Sequence, residues 1–182
     1  DAAGQLLQVQ RAYGVTTADG FPATLQQNHA TYTYSLNGQR RTVTDANGNR
    51  AELRYDGFDR LRRWVFPSPT TAGQLGGNCS TGDFESYTYD AVGNRLSLRK
   101  RDGATIAYLY DNLNRVTRKT VPASASGAAG YSVFYGYDLR NQQTFARFGS
   151  TTGYGITNSY DGFGRITSSL NTTGGTSRQL QY

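Results

Sequence analysis

The sequence predicts an all-β chain. Tandem antiparallel hairpins of about 21 residues should lie side by side in one continuous twisted strip, part of a β-solenoid, a shell or a fibre. Three observations predict it. Tyr-Asp recurs at Tyr55-Asp56, Tyr89-Asp90, Tyr110-Asp111, Tyr137-Asp138 and Tyr160-Asp161. Four residues after each such tyrosine stands Gly, Asn or Asp, the residues that tolerate φ > 0. The flanking residues alternate as strands do.

The copies can be taken in order. A degenerate one begins at Tyr34-Ser35, and Tyr182 falls where a further copy would start. The Tyr-to-Tyr spacings are 21, 34, 21, 27, 23 and 22. A half-unit, Thr44-Asp45-Ala46-Asn47-Gly48-Asn49, sits between the first two tyrosines. The position four after the tyrosine holds Gly38, Asp59, Gly93, Asn114, Asn141 and Gly164, with Gly48 in the half-unit. Asp at the second position bonds back to its own backbone as an Asx-turn. Asp-x-x-Gly/Asn therefore predicts a type I turn, a left-handed residue and a bulge.

Before the turns come Tyr32-Thr33-Tyr34, Tyr87-Thr88-Tyr89, Tyr108-Leu109-Tyr110 and Tyr135-Gly136-Tyr137, each with two tyrosines on one face. After them come Arg60-Leu61, Arg95-Leu96-Ser97-Leu98, Arg115-Val116-Thr117 and Arg165-Ile166-Thr167. The residues expected to define the repeat are Tyr34 and Gly38, Asp45 and Gly48, then Tyr55, Asp56 and Arg60. Next are Tyr89, Asp90, Gly93 and Arg95, and Tyr110, Asp111, Asn114 and Arg115. The series closes with Tyr137, Asp138 and Asn141, and with Tyr160, Asp161, Gly164 and Arg165. Tyrosines of successive units should stack on one another, and each Arg should meet the Asp of its own or a neighbouring turn.

The domain reading is an N-terminal segment 1–30, itself a degenerate repeat, followed by repeats over 31–182. Insertions interrupt them at 67–83 and 122–130. The first holds Pro67-Ser68-Pro69, Gly76-Gly77 and Cys79 and reads as an exposed loop. Its functional alternative is a contact loop, or a thiol cross-link through Cys79. The second has linker composition.

Composition narrows the classes. The 182 residues carry 22 Gly and 14 Tyr at a net charge of +6, and all but Lys100 and Lys119 of the 19 cations are Arg. One cysteine makes no disulfide framework, and one histidine, His29, supplies no multi-histidine metal site. No run reaches the roughly 18 apolar residues of a membrane helix. The lack of Met and the start at Asp1 lead us to expect a processed product or an excised piece.

The run Tyr160-Asp161-Gly162-Phe163-Gly164-Arg165-Ile166, with Tyr89 to Leu96 and Tyr110 to Val116, resembles the YD-repeat or Rhs-repeat family over about residues 31–182. The resemblance implies a β-strip that spirals into a hollow shell around a C-terminal toxin, as in Rhs polymorphic toxins and the Tc shell, or a teneurin-like ectodomain. Ser35 departs from the pattern, and the copy at Tyr137 lacks Gly and the usual Arg. No Asp-Pro dipeptide of the family's self-cleavage motif is present.

No catalytic residues, cofactor or metal are expected. Cys79 and His29 have no orienting third group. The Asp residues recur at one turn position, as catalytic carboxylates do not, and each turn offers a single carboxylate to a calcium ion. The clusters Arg60, Arg62, Arg63 and Arg99, Lys100, Arg101 invite nucleic acid, but Arg follows the repeat and Asp accompanies it, so nucleic acid is not an expected partner. Asn78-Cys79-Ser80 and Asn171-Thr172-Thr173 fit the glycosylation sequon.

The expected function is thus structural and not enzymatic: a segment of an extracellular or cell-surface shell or fibre for toxin encapsulation, delivery or cell contact. Its partners would be further repeats of the parent chain, identical copies, or an enclosed toxin. Secretion or surface display, in bacteria, rests on the resemblance. The alternative is a carbohydrate-binding module whose exposed Tyr rows stack on sugar rings.

Overall fold

The structure, a computed structural model, describes residues 1–11, 27–67, 79–123, 127 and 129–182, and for Gln27, Cys79, Ser80 and Thr81 the backbone alone. The described residues are strands and turns, without a helix, as the alternation predicted. The chain divides into two compact units, Asp1–Tyr87 and Thr88–Tyr182.

In the first unit β1 (Gln8–Arg11), β2 (Gln27–Tyr34), β3 (Arg40–Asp45), β4 (Arg50–Tyr55), β5 (Leu61–Pro67) and β6 (Cys79–Tyr89, which runs past the boundary) pair in chain order, each antiparallel to the next. The second unit holds β7 (Arg95–Arg99), β8 (Thr105–Tyr110), β9 (Val116–Val121), β10 (Tyr131–Tyr137), β11 (Gln143–Phe148), β12 (Gly155–Tyr160), β13 (Ile166–Thr173) and β14 (Thr176–Gln181). These too pair consecutively and antiparallel.

Strands that alternate in direction put successive turns on opposite edges of a sheet. All the Tyr-Asp turns fall on one edge of their unit. The half-unit turn at Asp45 falls on the other. The chain leaves the first unit's sheet at Pro67 and re-enters at Cys79, on that second edge. It leaves the second unit's sheet at Val121 and re-enters at Tyr131, likewise opposite the Tyr-Asp turns. Both insertions therefore sit where they leave the Tyr-Asp edge unbroken. Residues 68–78, 124–126 and 128 lie outside the described residues, and with them Gly76-Gly77 and Asn78 of the first sequon.

Each unit is, among the described residues, a single layer. Among the described residues Val65 is the one buried large apolar side chain, 3% exposed, and Thr42 the one buried polar side chain. Thr42 bonds Thr33 across the strands at 2.6 Å. In the second unit the register aligns Leu98, Ile106, Tyr108, Tyr135, Ala146 and Ile156 on one face, and Ser97, Ala107, Thr120, Ser132 and Thr157 on the other. A sheet without a second layer is held by its ladder and its cross-strand pairs, so stability accrues repeat by repeat.

The ladder slips by one residue beside the signature tyrosines. Tyr55 faces Leu61 while Arg54 faces Arg63, and the shift recurs at Tyr34, Tyr110, Tyr137 and Tyr160. This is the bulge that the turn residues predicted, and it sits in the strand that follows each turn.

Candidate functional site: a row of laced turns

Each Tyr-Asp turn is built from one carboxylate. In the turn at Asp111, Oδ1 accepts the amides of Leu113 at 2.9 Å and Arg115 at 3.0 Å. The Asp111 carbonyl accepts the amide of Asn114, and the Asp111 amide donates to the Arg115 carbonyl. Asn114 thereby takes φ = 62°, as Asp59 takes 58° and Asn141 takes 67°. Gly38, Gly48, Gly93 and Gly164 are left-handed too. The same two Oδ1 bonds form at Asp45, Asp56, Asp90, Asp138 and Asp161. Ser35 substitutes for Asp because its Oγ accepts the Gln39 amide at 3.1 Å.

The second carboxylate oxygen takes the side chain four residues on. Arg60 reaches Asp56 at 2.8 Å, and Arg115 and Arg165 reach Asp111 and Asp161 at 2.7 Å each. The Arg serves its own turn. In two turns the slot holds Asn: Asn49 on Asp45 and Asn94 on Asp90. The slot in the third turn is thus Asn94 rather than Arg95, whose guanidinium lies 5.3 Å from the Tyr108 ring.

These contacts favour the ionised form at Asp45, Asp56, Asp90, Asp111 and Asp161. The Arg115 side chain, followed by the Arg115 amide, holds Asp111 below the usual range. At Asp161 the Arg165 amide leads and its side chain follows. At Asp56 and Asp90 desolvation pulls upward, and the hydrogen bonds from Arg60 and Asn94 together outweigh it.

Successive turns are laced within each unit. Asn37 donates to Asp59 at 3.1 Å and Asn94 to Asn114 at 2.8 Å. Arg115 reaches the Asp138 carbonyl, Gln142 the Gly164 carbonyl and Arg140 the Gly162 carbonyl. The turn at Asp138, without Gly or the usual Arg, is therefore laced forward through its own Arg140 and Gln142.

The tyrosines do something their sequence positions did not predict. Tyr55 donates its hydroxyl to the Arg40 carbonyl at 2.8 Å, Tyr110 to Arg95 at 2.9 Å, Tyr137 to Val116 at 3.0 Å and Tyr160 to Gln143 at 2.9 Å. Each acceptor stands six residues after the preceding signature tyrosine. Tyr34 makes the same bond to Leu6. This link joins successive repeats at the tyrosines for which stacking was expected. Trp64 pairs with Phe66 and Tyr131 with Phe148, and Arg115 lies 4.6 Å from the Tyr137 ring. Partial burial raises the phenols of Tyr55, Tyr110 and Tyr137.

Among the turns that went unanticipated, two share this hydrogen-bond pattern. Asp1 accepts the amides of Ala3 and Gln5, and Gly4 has φ = 74°, so residues 1–5 form another turn of this type. Asp1-Ala2-Ala3-Gly4 carried the signal, without its tyrosine. On the opposite edge, Gly103 is left-handed and its amide bonds the Lys100 carbonyl. Asp102-Gly103 was the legible cue there. Lys100 pairs with Asp102 at 2.8 Å, so this supposed basic cluster is part of a turn.

His29 is exposed on β2 and the Cys79 side chain lies outside the described residues. Among the described residues no group of His, Cys, Asp or Glu is gathered to hold a metal ion. No described helix is long and apolar enough to cross a membrane.

A row of like turns, tied crosswise by tyrosine hydroxyls and with no second layer among the described residues, defines a repeat protein of the sheet-wall class. The teneurin YD-shell family model matches residues 17–122, more than half of the chain, and the chain belongs to that family. Its fold is also similar to solved Tc toxin structures. One is the crystal structure of TcdB2-TccC3-Cdc42, at 18% identity and a TM-score of 0.60, covering 100% of this chain and 12% of that one. Another is a Photorhabdus luminescens Tc holotoxin pore, at 17% identity and a TM-score of 0.59, covering 100% of this chain and 11% of that one. This chain thus spans about an eighth or less of those chains. No curated protein matches it.

Proposed function

We propose that the chain is a non-enzymatic stretch of wall in an extracellular or cell-surface shell of the YD type, one that encloses or delivers a toxin or mediates cell contact. The observation that carries this reading is the double lacing. Within each unit a hairpin binds the next through a tyrosine hydroxyl at one level and a turn side chain at another, so a wall can be extended by adding units. The repeated Asp carboxylates are engaged in their own turns. Residues 1–30 are a degenerate repeat in this reading, supported by the turn at Asp1 and the Tyr34 bond to Leu6. Further repeats, identical copies and an enclosed toxin are the partners it implies, and bacterial secretion is the setting suggested by the Tc neighbours.

Electron microscopy of the native protein from its source tests the reading, together with limited proteolysis. A curved β-wall around a protected segment is expected. A compact particle without an enclosed volume, or a segment cleaved as fast as free peptide, would overturn it.

A further inference from the structure

The tips of the Tyr-Asp turns carry exposed apolar side chains. In the second unit Val92 is 71% exposed, Leu113 68%, Leu139 106% and Phe163 89%. Val92, Leu113 and Phe163 stand two residues after the turn Asp, and Leu139 one after it. Leu36 and Phe58 repeat the arrangement in the first unit, at 107% and 81%.

The fold does not need them. The central positions of a type I turn favour polar residues, and side chains this exposed add almost nothing to the chain's own burial. Tips on the opposite edge differ. Among the described residues Arg101 and Asp102 occupy one and Gly174-Gly175 another; of the exposed large side chains on that edge Tyr154 belongs to a turn, while Tyr131 and Phe148 end strands and pair with each other. An apolar group at tip after tip of one edge points to a surface that something covers.

We propose that this row is a self-association surface, on which the matching row of a second copy of the chain docks edge to edge. The inference rests on reading the chain as a structural repeat and adds a contact to it. Period argues for the occupant. Neighbouring tips are two strands apart, about 9–10 Å at the usual strand spacing. A partner must present apolar groups in a line at that interval, and the same row does so by construction. A two-fold arrangement matches the row to itself.

Charge argues the same way. Asp111 and Asp161 are each neutralised by the Arg of their own turn, at 2.7 Å, and the turns of Asp90 and Asp138 carry one Arg each, Arg95 and Arg140. Arg165 also lies 5.4 Å from the Phe163 ring, at the tip itself. Two such edges meet without a shared excess of charge. Four tips span roughly 30 Å in a single line, a contact at the small end of protein interfaces, so the association is weak and concentration-dependent.

Sedimentation equilibrium of the 182-residue chain from about 5 μM to 1 mM tests the proposal, over the range where a small interface dissociates. A monomer–dimer equilibrium is expected. The quadruple variant V92S/L113S/L139S/F163S should weaken it at least about tenfold, with an unchanged circular-dichroism spectrum, because exposed tips carry no packing. Leu139→Ser alone, at the most exposed tip of the second unit, should weaken it about threefold, which keeps the test open if the quadruple variant fails to fold. Tyr131→Ser with Phe148→Ser on the sheet face should leave the dimer constant unchanged. A monomer throughout the range overturns the proposal. So does a dimer that survives the tip substitutions or is lost with the face substitutions. The wall reading is tested separately by microscopy and is untouched by any of these outcomes.

Discussion

The hydroxyl of Tyr137 donates to the carbonyl of Val116 at 3.0 Å, and the two residues belong to successive repeats. The acceptor is backbone, so any side chain can stand at its position. Leu6, Arg40, Arg95, Val116 and Gln143 all fill that role. Removing the hydroxyl isolates the bond. Tyr137→Phe should lower the unfolding free energy by about 0.5–1.5 kcal/mol, read as a shift in urea midpoint at constant slope. Tyr154→Phe, on an exposed ring, should change it by less than about 0.5 kcal/mol. Equal effects at both positions would contradict the role given to the signature tyrosine.

Asn141 holds φ = 67° in a turn without glycine. Asn141→Gly should leave stability within about 0.5 kcal/mol, because Gly adopts this conformation without steric cost. Asn141→Val should cost about 1–2 kcal/mol, because a β-branched residue resists the left-handed region. Thermal unfolding of the two variants measures the difference, and it should carry this sign.

Gly136 answers a different need. It faces Phe145 across the ladder, and a Cβ placed on it would stand 2.1 Å from that ring. The aromatic ring covers the glycine, a pairing that sheets use to shield a bare backbone. Gly136→Ala should cost about 1–3 kcal/mol through this clash. Adding Phe145→Ala should recover part of that loss, so the cycle should show coupling between the two positions. Additive losses would mean that the ring does not set the limit.

The turn carboxylates set an acid limit. Asp111 and Asp161 titrate below their ordinary value of 3.8 when folded, Asp111 chiefly through the Arg115 side chain and Asp161 chiefly through the Arg165 amide. A lowered folded pKa gives stability that is present above the ordinary value and lost as pH falls through the folded one. Denaturant midpoints should be flat near neutrality and drop below about pH 4. Asp161→Ala should make that drop shallower. At the other end, burial raises the phenols of Tyr55, Tyr110 and Tyr137 above 10.0. Their contribution is present below that value and lost as pH rises through the folded pKa, so a second decline should begin above about pH 10.

The parts that were legible in the sequence are local. Asp111 to Arg115 closes its turn with bonds among five consecutive residues, so residue type at fixed offsets carries the whole instruction. Asp1 to Gln5 obeys the same rule and could have been read on the Asp-x-x-Gly pattern alone. The glutamine after Asn141 hid its role, because the Gln142 side chain acts on Gly164 of the following turn while only its amide serves its own Asp.

By itself, then, the sequence determined the hairpins, their period and the left-handed residue at each tip, because these follow from contacts a few residues apart. Tertiary structure alone decided that the signature tyrosines bind carbonyls of the preceding repeat. It also decided that both insertions leave from the edge opposite the Tyr-Asp turns, and that the exposed apolar tips fall into line. Those outcomes depend on which strand lies beside which and in what register, and a backbone acceptor leaves no trace in the residue beside it.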